Sequence, residues 1–174
     1  QELAKEVLLL DILEGMPLGK GLDQFQAAPV LGFDTRVRGT NDWADTAGTD
    51  IFIVTAGVAR KPGMSRDDLL KTNASIVKDC ALNIKKYAPD SIVIVVSNPL
   101  DIMAFVAMQE TGFPRDRVFG MAGILDTARF RAFLAMELNV SVEDIQALVL
   151  GGHGDSMVPL VSYASISGIP LTYF

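Results

Sequence analysis

One histidine in the chain could act as an acid or a base. His153 is the only histidine among 174 residues, and it lies in the run Gly151-Gly152-His153-Gly154. Glycines on both sides let the backbone turn sharply and expose an imidazole ring, which exchanges protons near neutral pH. An isolated loop histidine more often has no such role, so the residues that surround it in the fold decide the question.

A carboxylate and a guanidinium could complete such a site. Asp126 and Arg129 are three residues apart on a predicted helix and therefore share one face. This spacing alone is more typical of a surface ion pair. In the functional interpretation, Asp126 accepts a hydrogen bond from one nitrogen of His153 and fixes its tautomer, whereas Arg129 binds a substrate carboxylate with its two-pronged guanidinium.

Two further arginines flank a Pro-Gly break. Arg60 and Arg66 enclose a segment containing Pro62-Gly63, which interrupts both helix and sheet and predicts a mobile loop. A solvated basic loop is the ordinary explanation. A dicarboxylate substrate, however, needs two cationic clamps and a donor that polarises its carbonyl, and Arg60, Arg66 and Arg129 would supply all three. A hinged loop would also close and exclude water.

Asp11 ends the first apolar run of the chain. It could cap the following segment, or it could accept hydrogen bonds from both adenosine ribose hydroxyls of NAD, where it would repel the 2′-phosphate of NADP. The fingerprint G-x-G-x-x-G, expected about twenty residues ahead of such a carboxylate, is absent from the sequence. Since only ten residues precede Asp11, we expect the fingerprint to fall before residue 1 and the chain to be incomplete at its start.

Apolar runs alternate with helical patterns through the first two thirds of the chain. This alternation predicts an α/β fold with a Rossmann-type, doubly wound parallel sheet, whose first strand would be missing. Ligands bind beyond the carboxyl ends of the strands in such sheets, where Asp11, Thr55 to Gly57 and Ser97-Asn98 lie. The predicted strands cover residues 7–10, 33–38, 50–55 and 91–96. An irregular stretch through Gly21, interrupted by Gly and Pro, precedes a predicted helix that ends at Ala28. A second helix is predicted over residues 67–87, and a third ends at about Glu110.

The pattern changes after residues 118–123. A helix at 125–138 and a strand at 146–150 follow, so we place a domain boundary near Gly120. Residues 1–120 would form a truncated NAD-binding domain, and residues 121–174 would form the N-terminal part of an α+β substrate domain.

Composition and charge exclude several classes of partner. The net charge of −6 and the pI near 4.7 argue against nucleic acid, which is bound by clustered Lys and Arg. The longest apolar runs, such as 92–96, are far too short to cross a bilayer, so we expect no membrane partner. Cys80 is the only cysteine and cannot form an internal disulfide, which is compatible with the reducing cytoplasm.

Five strings of residues are distributed along the whole chain. They are Leu-Asp-Ile-Leu-Glu-Gly (10–15), Thr-Ala-Gly-Val-Ala-Arg-Lys-Pro-Gly-Met-Ser-Arg (55–66), Val-Ser-Asn-Pro-Leu-Asp (96–101), Leu-Asp-Thr-Ala-Arg-Phe-Arg (125–131) and Gly-Gly-His-Gly-Asp-Ser (151–156). In their order and spacing these strings closely resemble the lactate/malate dehydrogenase family, and within it the malate-oxidising members of the lactate-dehydrogenase-like type.

The resemblance implies a role for each matching position. His153 would donate and accept the proton with Asp126 as its partner, and Arg66 would polarise the reacting carbonyl. Arg129 would bind the carboxylate beside the reacting carbon, and Arg60 would bind the distal one. Asn98 would contact both substrate and cofactor. The cofactor positions implied are Asp11, Thr55, Ala56, Gly57, Asn73, Val96, Ser97 and Asn98.

The reaction implied is the reversible oxidation of (S)-malate to oxaloacetate with NAD, without a metal, by a homodimer or homotetramer. Family members continue well beyond residue 174, so we expect the chain to be incomplete at its end as well. One alternative is an L-lactate or broad 2-hydroxy acid dehydrogenase, because lactate-specific relatives carry glutamine at the position of Arg60. The other is a dinucleotide-binding protein without catalysis.

Overall fold

The structure is a computed structural model that describes residues 3–59 and 62–174. The chain folds into two compact units. Unit 1 comprises residues 1–50 and 82–91, and unit 2 comprises residues 51–81 and 92–174.

Unit 1 is built on a pair of parallel strands. Strands β1 (Glu6–Leu10) and β2 (Arg36–Thr40) pair in parallel, and an ion pair between Glu6 and Arg38 joins them. Helix α1 (Met16–Gln26) and the short helix α2 (Ala28–Leu31) connect the strands, and a 3₁₀ helix (Trp43–Thr46) follows β2. The parallel pairing agrees with the predicted class of sheet.

Helix α1 begins earlier than the sequence predicts. We expected an irregular stretch through Gly21, but the helix starts at Met16 with Pro17 in its first turn, where the missing proline N–H is not needed. Gly21 lies inside the helix. A larger residue would not fit at this position, because a Cβ there would be 2.7 Å from the carbonyl carbon of Arg38. The glycine therefore permits close packing of α1 on β2. Strand β2 also starts later than predicted, at Arg36 instead of residue 33.

Unit 2 begins with a three-stranded parallel ladder. Its order is β3 (Ile51–Val54), β4 (Ile92–Val95) and β5 (Val118–Gly120). The connecting helices are α3 (Arg66–Tyr87), whose last residues belong to unit 1, and α4 (Leu100–Thr111), followed by a 3₁₀ turn (Arg115–Arg117). Helix α5 (Gly123–Leu138) follows β5. These parallel strands with intervening helices confirm the α/β class.

Strand β3 is less buried than predicted. Val54 is buried, but Ile51 is 52% exposed and Ile53 is 65% exposed. Alternate side chains of a strand point to opposite faces, and the part of the chain that the structure describes covers only one face of β3. In β4, by contrast, Val93 and Val95 are fully buried.

The last part of unit 2 contains short antiparallel strands. The predicted strand at 146–150 is wrong as a single element, because its two ends pair with different partners. One end, β6 (Ile145–Gln146), follows a 3₁₀ turn (Val142–Asp144) and pairs with β9 (Ser165–Ile166), which also pairs with β10 (Ile169–Pro170). The other end, β7 (Val149–Leu150), forms a hairpin with β8 (Val158–Pro159). Two 3₁₀ turns complete the chain at Val161–Tyr163 and Leu171–Tyr173.

The surroundings of Cys80, the single cysteine of the chain, make its thiol unreactive. Burial, with a smaller contribution from the charge of Asp79, raises the pKa of Cys80 to about 11. The thiol on α3 is therefore protonated at neutral pH. None of the helices described for residues 3–59 and 62–174 is long and apolar enough to span a bilayer.

Candidate active site

The hairpin of β7 and β8 presents His153 in its loop. The imidazole Nδ1 lies 2.8 Å from Oδ2 of Asp126, whose side chain is only 7% exposed. An ionised carboxylate can only accept, so Nδ1 donates to it, and in the neutral ring Nε2 keeps its lone pair for another partner. His153 itself remains 23% exposed. The ring is thus held at one nitrogen and accessible to solvent.

Helix α5 carries Asp126, the predicted partner of His153, and Arg129, the residue predicted to bind a substrate carboxylate. Nη1 of Arg129 lies 3.4 Å from Oδ1 of Asp126, and the arginine side chain is 57% exposed. Thr127 on the same helix accepts a hydrogen bond from the Val149 N–H at 3.0 Å, which joins α5 to the strand before the loop. The structure therefore brings His153, Asp126 and Arg129 together, and the pair on α5 is more than a surface ion pair because Asp126 also holds the imidazole.

A cavity of about 280 Å³ lies at the carboxyl ends of β3 and β4. We call it the strand-end cavity. Every residue of unit 2 that was predicted to bind the cofactor lines this cavity, together with three residues that were not predicted to do so. Its lining consists of Thr55, Ala56, Gly57, Val58, Ala59, Leu69, Asn73, Val96, Ser97 and Asn98.

Two polar side chains form hydrogen bonds between the backbone segments that line this cavity. Ser97 Oγ donates to the carbonyl of Ala56 at 2.6 Å. Asn73 is only 2% exposed, and its Oδ1 accepts from the Val58 N–H at 2.8 Å while its Nδ2 donates to the carbonyl of Asn98 at 2.7 Å. Asn73 thus holds both strand ends in place, a role that the sequence did not reveal.

The lining suits part of a dinucleotide. Among residues 3–59 and 62–174, none that lines the cavity has a charged side chain, and the exposed side chains of Thr55 and Asn98 lie beside backbone groups. Such a surface matches an uncharged ribose and an aromatic ring better than a phosphate. Gly57 lets the backbone approach Asn73 closely, because a Cβ there would lie only 3.2 Å from Asn73 Oδ1. These residues fit the nicotinamide side of NAD.

Arg66 is the first residue of α3 and is exposed. The residues around it form a capping box: Ser65 Oγ accepts from the Asp68 N–H at 3.0 Å and donates to Asp68 Oδ2 at 2.6 Å. The Ser65 N–H also donates to Asp68 Oδ2, at 3.2 Å. This reciprocal arrangement fixes where the helix starts and hence where the Arg66 side chain begins.

The capping box gives a prediction about pH. The hydrogen bonds from the Ser65 hydroxyl and, second, from its N–H hold the pKa of Asp68 below the ordinary value of 3.8. Because the folded pKa is lowered, this contact stabilises the helix start above that ordinary value and is lost as the pH falls through the folded pKa. We expect Ser65→Ala to return the Asp68 pKa towards 3.8, measured by NMR titration of its carboxyl. The control Ser75→Ala, on the exposed side of the same helix, should leave it unchanged; an unaltered Asp68 pKa in Ser65→Ala would contradict the capping box.

Asp11 lies at the carboxyl end of β1 in unit 1. One of its oxygens, Oδ1, accepts from the Leu13 N–H at 2.8 Å and closes a turn. Asp11 does not cap helix α1, whose N-cap is Gly15 and receives no side-chain hydrogen bond. Asn41 organises the same loop: its Nδ2 donates to the carbonyls of Asp11 at 2.7 Å and Leu13 at 2.9 Å, and its Oδ1 accepts from the Gly15 N–H at 3.1 Å. Asn41 was not predicted from the sequence, although its place directly after β2 is a usable signal.

Arg60, the predicted distal clamp, lies outside the described residues. Within the ranges 3–59 and 62–174, no group of three or more His, Cys, Asp or Glu side chains is placed to hold a metal ion.

Known proteins resemble the chain along nearly all of its length. Residues 1–120 match the lactate/malate dehydrogenase NAD binding domain, which confirms the expected cofactor, and residues 124–174 match the family's alpha/beta C-terminal domain. A malate dehydrogenase from Chlorobium luteolum is 58% identical over 172 residues, which are 99% of this chain and 56% of that protein.

Solved structures give the same result. The malate dehydrogenase from Salinibacter ruber has a TM-score of 0.91 and 53% identity, covering 98% of this chain and 54% of that one. A lactate dehydrogenase from Cryptosporidium parvum, complexed with lactic acid and nicotinamide adenine dinucleotide, has a TM-score of 0.90 and 44% identity over 97% of this chain and 53% of its own. The chain thus spans about half the length of the relatives that it matches. With both of its domain models matched in order, the chain belongs to the lactate/malate dehydrogenase family.

Proposed function

We propose that the chain carries the central catalytic residues of an NAD-dependent malate dehydrogenase, which interconverts (S)-malate and oxaloacetate. The observation that carries the proposal is the contact of 2.8 Å between His153 Nδ1 and the buried Asp126, with Arg129 on the next turn of the same helix. An acid–base group, its orienting carboxylate and a carboxylate-binding cation are what the oxidation of a 2-hydroxy acid requires.

Each residue has its own role in the oxidation of malate. Nε2 of His153 takes the proton from the malate hydroxyl, and the positive charge that develops on the ring is stabilised by Asp126. Arg129 binds the carboxylate beside the reacting carbon, and Arg66 stabilises the developing carbonyl oxygen. When bound, NAD supplies the hydride acceptor.

The residues that would bind the cofactor fall into two sets. The strand-end cavity, through Thr55, Ala56, Gly57, Asn73 and Val96 to Asn98, would bind the nicotinamide side, and Asn98 would reach the substrate as well. Asp11 would accept hydrogen bonds from the adenosine ribose, since Leu13 uses only one of its two carboxylate oxygens.

Selection of the substrate rests on Arg60. A guanidinium at this position pairs with the distal carboxylate of oxaloacetate, whereas pyruvate presents a methyl group there and leaves the cation unpaired. Support comes from the match between residues 55–66 and the family pattern, and from malate dehydrogenases at 58% identity.

The first test is oxidation of NADH by the complete polypeptide that carries this sequence, offered oxaloacetate or pyruvate. We expect a preference for oxaloacetate of about 100-fold or more in kcat/KM, because a buried unpaired charge is costly. In Arg60→Gln the oxaloacetate activity should fall by about the same factor, with a relative gain for pyruvate.

Three outcomes separate the alternatives. A preference for pyruvate in the unaltered protein would indicate an L-lactate dehydrogenase, and similar rates with both would indicate a broad 2-hydroxy acid dehydrogenase. No NADH oxidation with either would indicate a dinucleotide-binding protein without catalysis. The variant Arg115→Gln, at an exposed arginine beyond α4, controls for the loss of a positive charge.

Further features are consistent with this proposal. The family resemblance implies assembly into a homodimer or homotetramer. Large apolar side chains on α5 are exposed, among them Phe133 at 66% and Met136 at 77%, and this face is open to the rest of a longer polypeptide or to a second copy. A lone, protonated Cys80 suits a cytoplasmic location. The two matched family domains, at residues 1–120 and 124–174, support a domain boundary near Gly120.

A further inference from the structure

The backbone of His153 has a partner that the proposed mechanism does not use. Asp101, the second residue of α4, accepts a hydrogen bond from the His153 N–H at 3.0 Å through its Oδ2. The two residues are 52 positions apart in the sequence. His153 is therefore held at two points by two helices: its ring by Asp126 on α5 and its backbone by Asp101 on α4.

The loop is shaped to receive this carboxylate. A Cβ on Gly152 would lie 3.1 Å from Asp101 Oδ2 and 2.7 Å from Ser156 Oγ, so a larger residue would displace the Ser156 hydroxyl and crowd the Asp101 carboxylate. Gly151 adopts a φ of +93°, and a Cβ there would lie 2.3 Å from the Ser156 carbonyl oxygen. The two glycines thus allow the His153 N–H to approach Asp101 closely.

The two hydrogen bonds together fix the orientation of the imidazole, which neither of them does alone. A single hydrogen bond at Nδ1 leaves the ring free to pivot about Asp126 and leaves the loop free to slide. Fixing the peptide N–H as well sets the direction of Nε2, the atom that must meet the substrate hydroxyl. A displacement of about 1 Å at a reacting group can cost about 100-fold in rate.

We infer that Asp101 is a positioning residue for His153, acting through the hydrogen bond to the His153 backbone. This inference rests on the proposed function, because it concerns the acid–base group of that reaction. It assigns no contact with substrate or cofactor to Asp101. The His153 N–H needs an acceptor oxygen at position 101, and that oxygen does not have to carry a charge.

The test uses two variants of the complete polypeptide. Asp101→Ala removes the acceptor, and we expect kcat with oxaloacetate to fall by about ten- to 100-fold while the Kd for NADH stays unchanged. Asp101→Asn keeps an oxygen in the same position, and kcat should remain within about threefold of the unaltered protein. Glu110→Gln, which removes a carboxylate from the other end of α4 where it pairs with Lys78, serves as the control and should change neither quantity.

Two further measurements separate positioning from general stabilisation. In a His153→Asn background, Asp101→Ala should lower the residual turnover by less than about twofold, since the two residues act as one unit. Hydrogen exchange of the peptide 151–155, followed by mass spectrometry, should be faster in Asp101→Ala and unchanged in Asp101→Asn.

The outcomes are distinguishable from failure of the proposed function. If the unaltered protein does not oxidise NADH with oxaloacetate, the proposed function fails, and the exchange of residues 151–155 still decides whether Asp101 holds the loop. An unchanged kcat and unchanged exchange in Asp101→Ala would overturn the inference. So would an Asp101→Asn variant as impaired as Asp101→Ala, because charge and not the hydrogen bond would then be responsible.

Discussion

Replacing His153 with asparagine should lower kcat with oxaloacetate by about 1000-fold, the loss that removal of a general acid–base group produces. Asparagine can donate and accept hydrogen bonds, but it cannot take up a proton near neutral pH. The loop should keep its place, because the bond from the His153 N–H to Asp101 belongs to the backbone and does not depend on the side chain. Turnover is measured by the absorbance of NADH, and binding by the fluorescence of NADH.

The Kd for NADH is the internal control for this variant. We expect it to stay within about twofold, since His153 is not among the residues that line the strand-end cavity. A variant that retained more than about a tenth of the original kcat would show that another group transfers the proton. Loss of NADH binding together with turnover would instead indicate that the substitution disrupted the fold.

Replacing Asp126 with asparagine should produce the second largest effect, a fall in kcat of about 100- to 1000-fold. Asp126 accepts a hydrogen bond from His153 at 2.8 Å and is 7% exposed, so its charge acts on the ring with little screening by solvent. An asparagine amide can turn its NH₂ group towards Nδ1 and favour the wrong tautomer, and it no longer stabilises the charged ring. Steady-state kinetics at fixed pH measures the effect.

The position of Arg129 provides a second readout for the same variant. Arg129 also contacts Asp126, at 3.4 Å, but is 57% exposed and can be solvated when that partner is lost. The KM for oxaloacetate should therefore change much less than kcat. Glu137→Gln, an exposed carboxylate on the same helix, is the matched control and should leave both constants unchanged. Equal kcat values in Asp126→Asn and Glu137→Gln would contradict the orienting role of Asp126.

Part of the site could be located from the sequence because strand ends are marked locally. The apolar run at 92–96 followed by Ser97-Asn98-Pro99, and the run at 51–54 followed by Thr55-Ala56-Gly57, identify where parallel strands stop. The rule that ligands bind beyond those ends then predicts which backbone segments meet. The strand-end cavity contains both segments.

Other features depended on packing that no local pattern records. Pro17 and Gly21 read as breaks in the sequence, but the first occupies the initial turn of α1 and the second lies against the backbone of Arg38. The apolar run at 146–150 reads as one strand, but its two ends pair with different partners. In each case the contact partner, and not the residue itself, decides the local structure.

The sequence by itself determined the α/β class, the ends of the strands and the residue types able to carry an acid–base reaction, because periodicity and turn residues express preferences of neighbouring positions. Only the tertiary structure decided that Asp126 and Asp101, 27 and 52 positions from His153, hold the same residue at its ring and at its backbone. It also decided that Asn41 organises the Asp11 loop and that Asn73 joins two strand ends. The physical reason is that a hydrogen bond between distant segments forms only after helices and strands have packed, and an individual carboxylate or amide in a sequence does not indicate which segment will reach it.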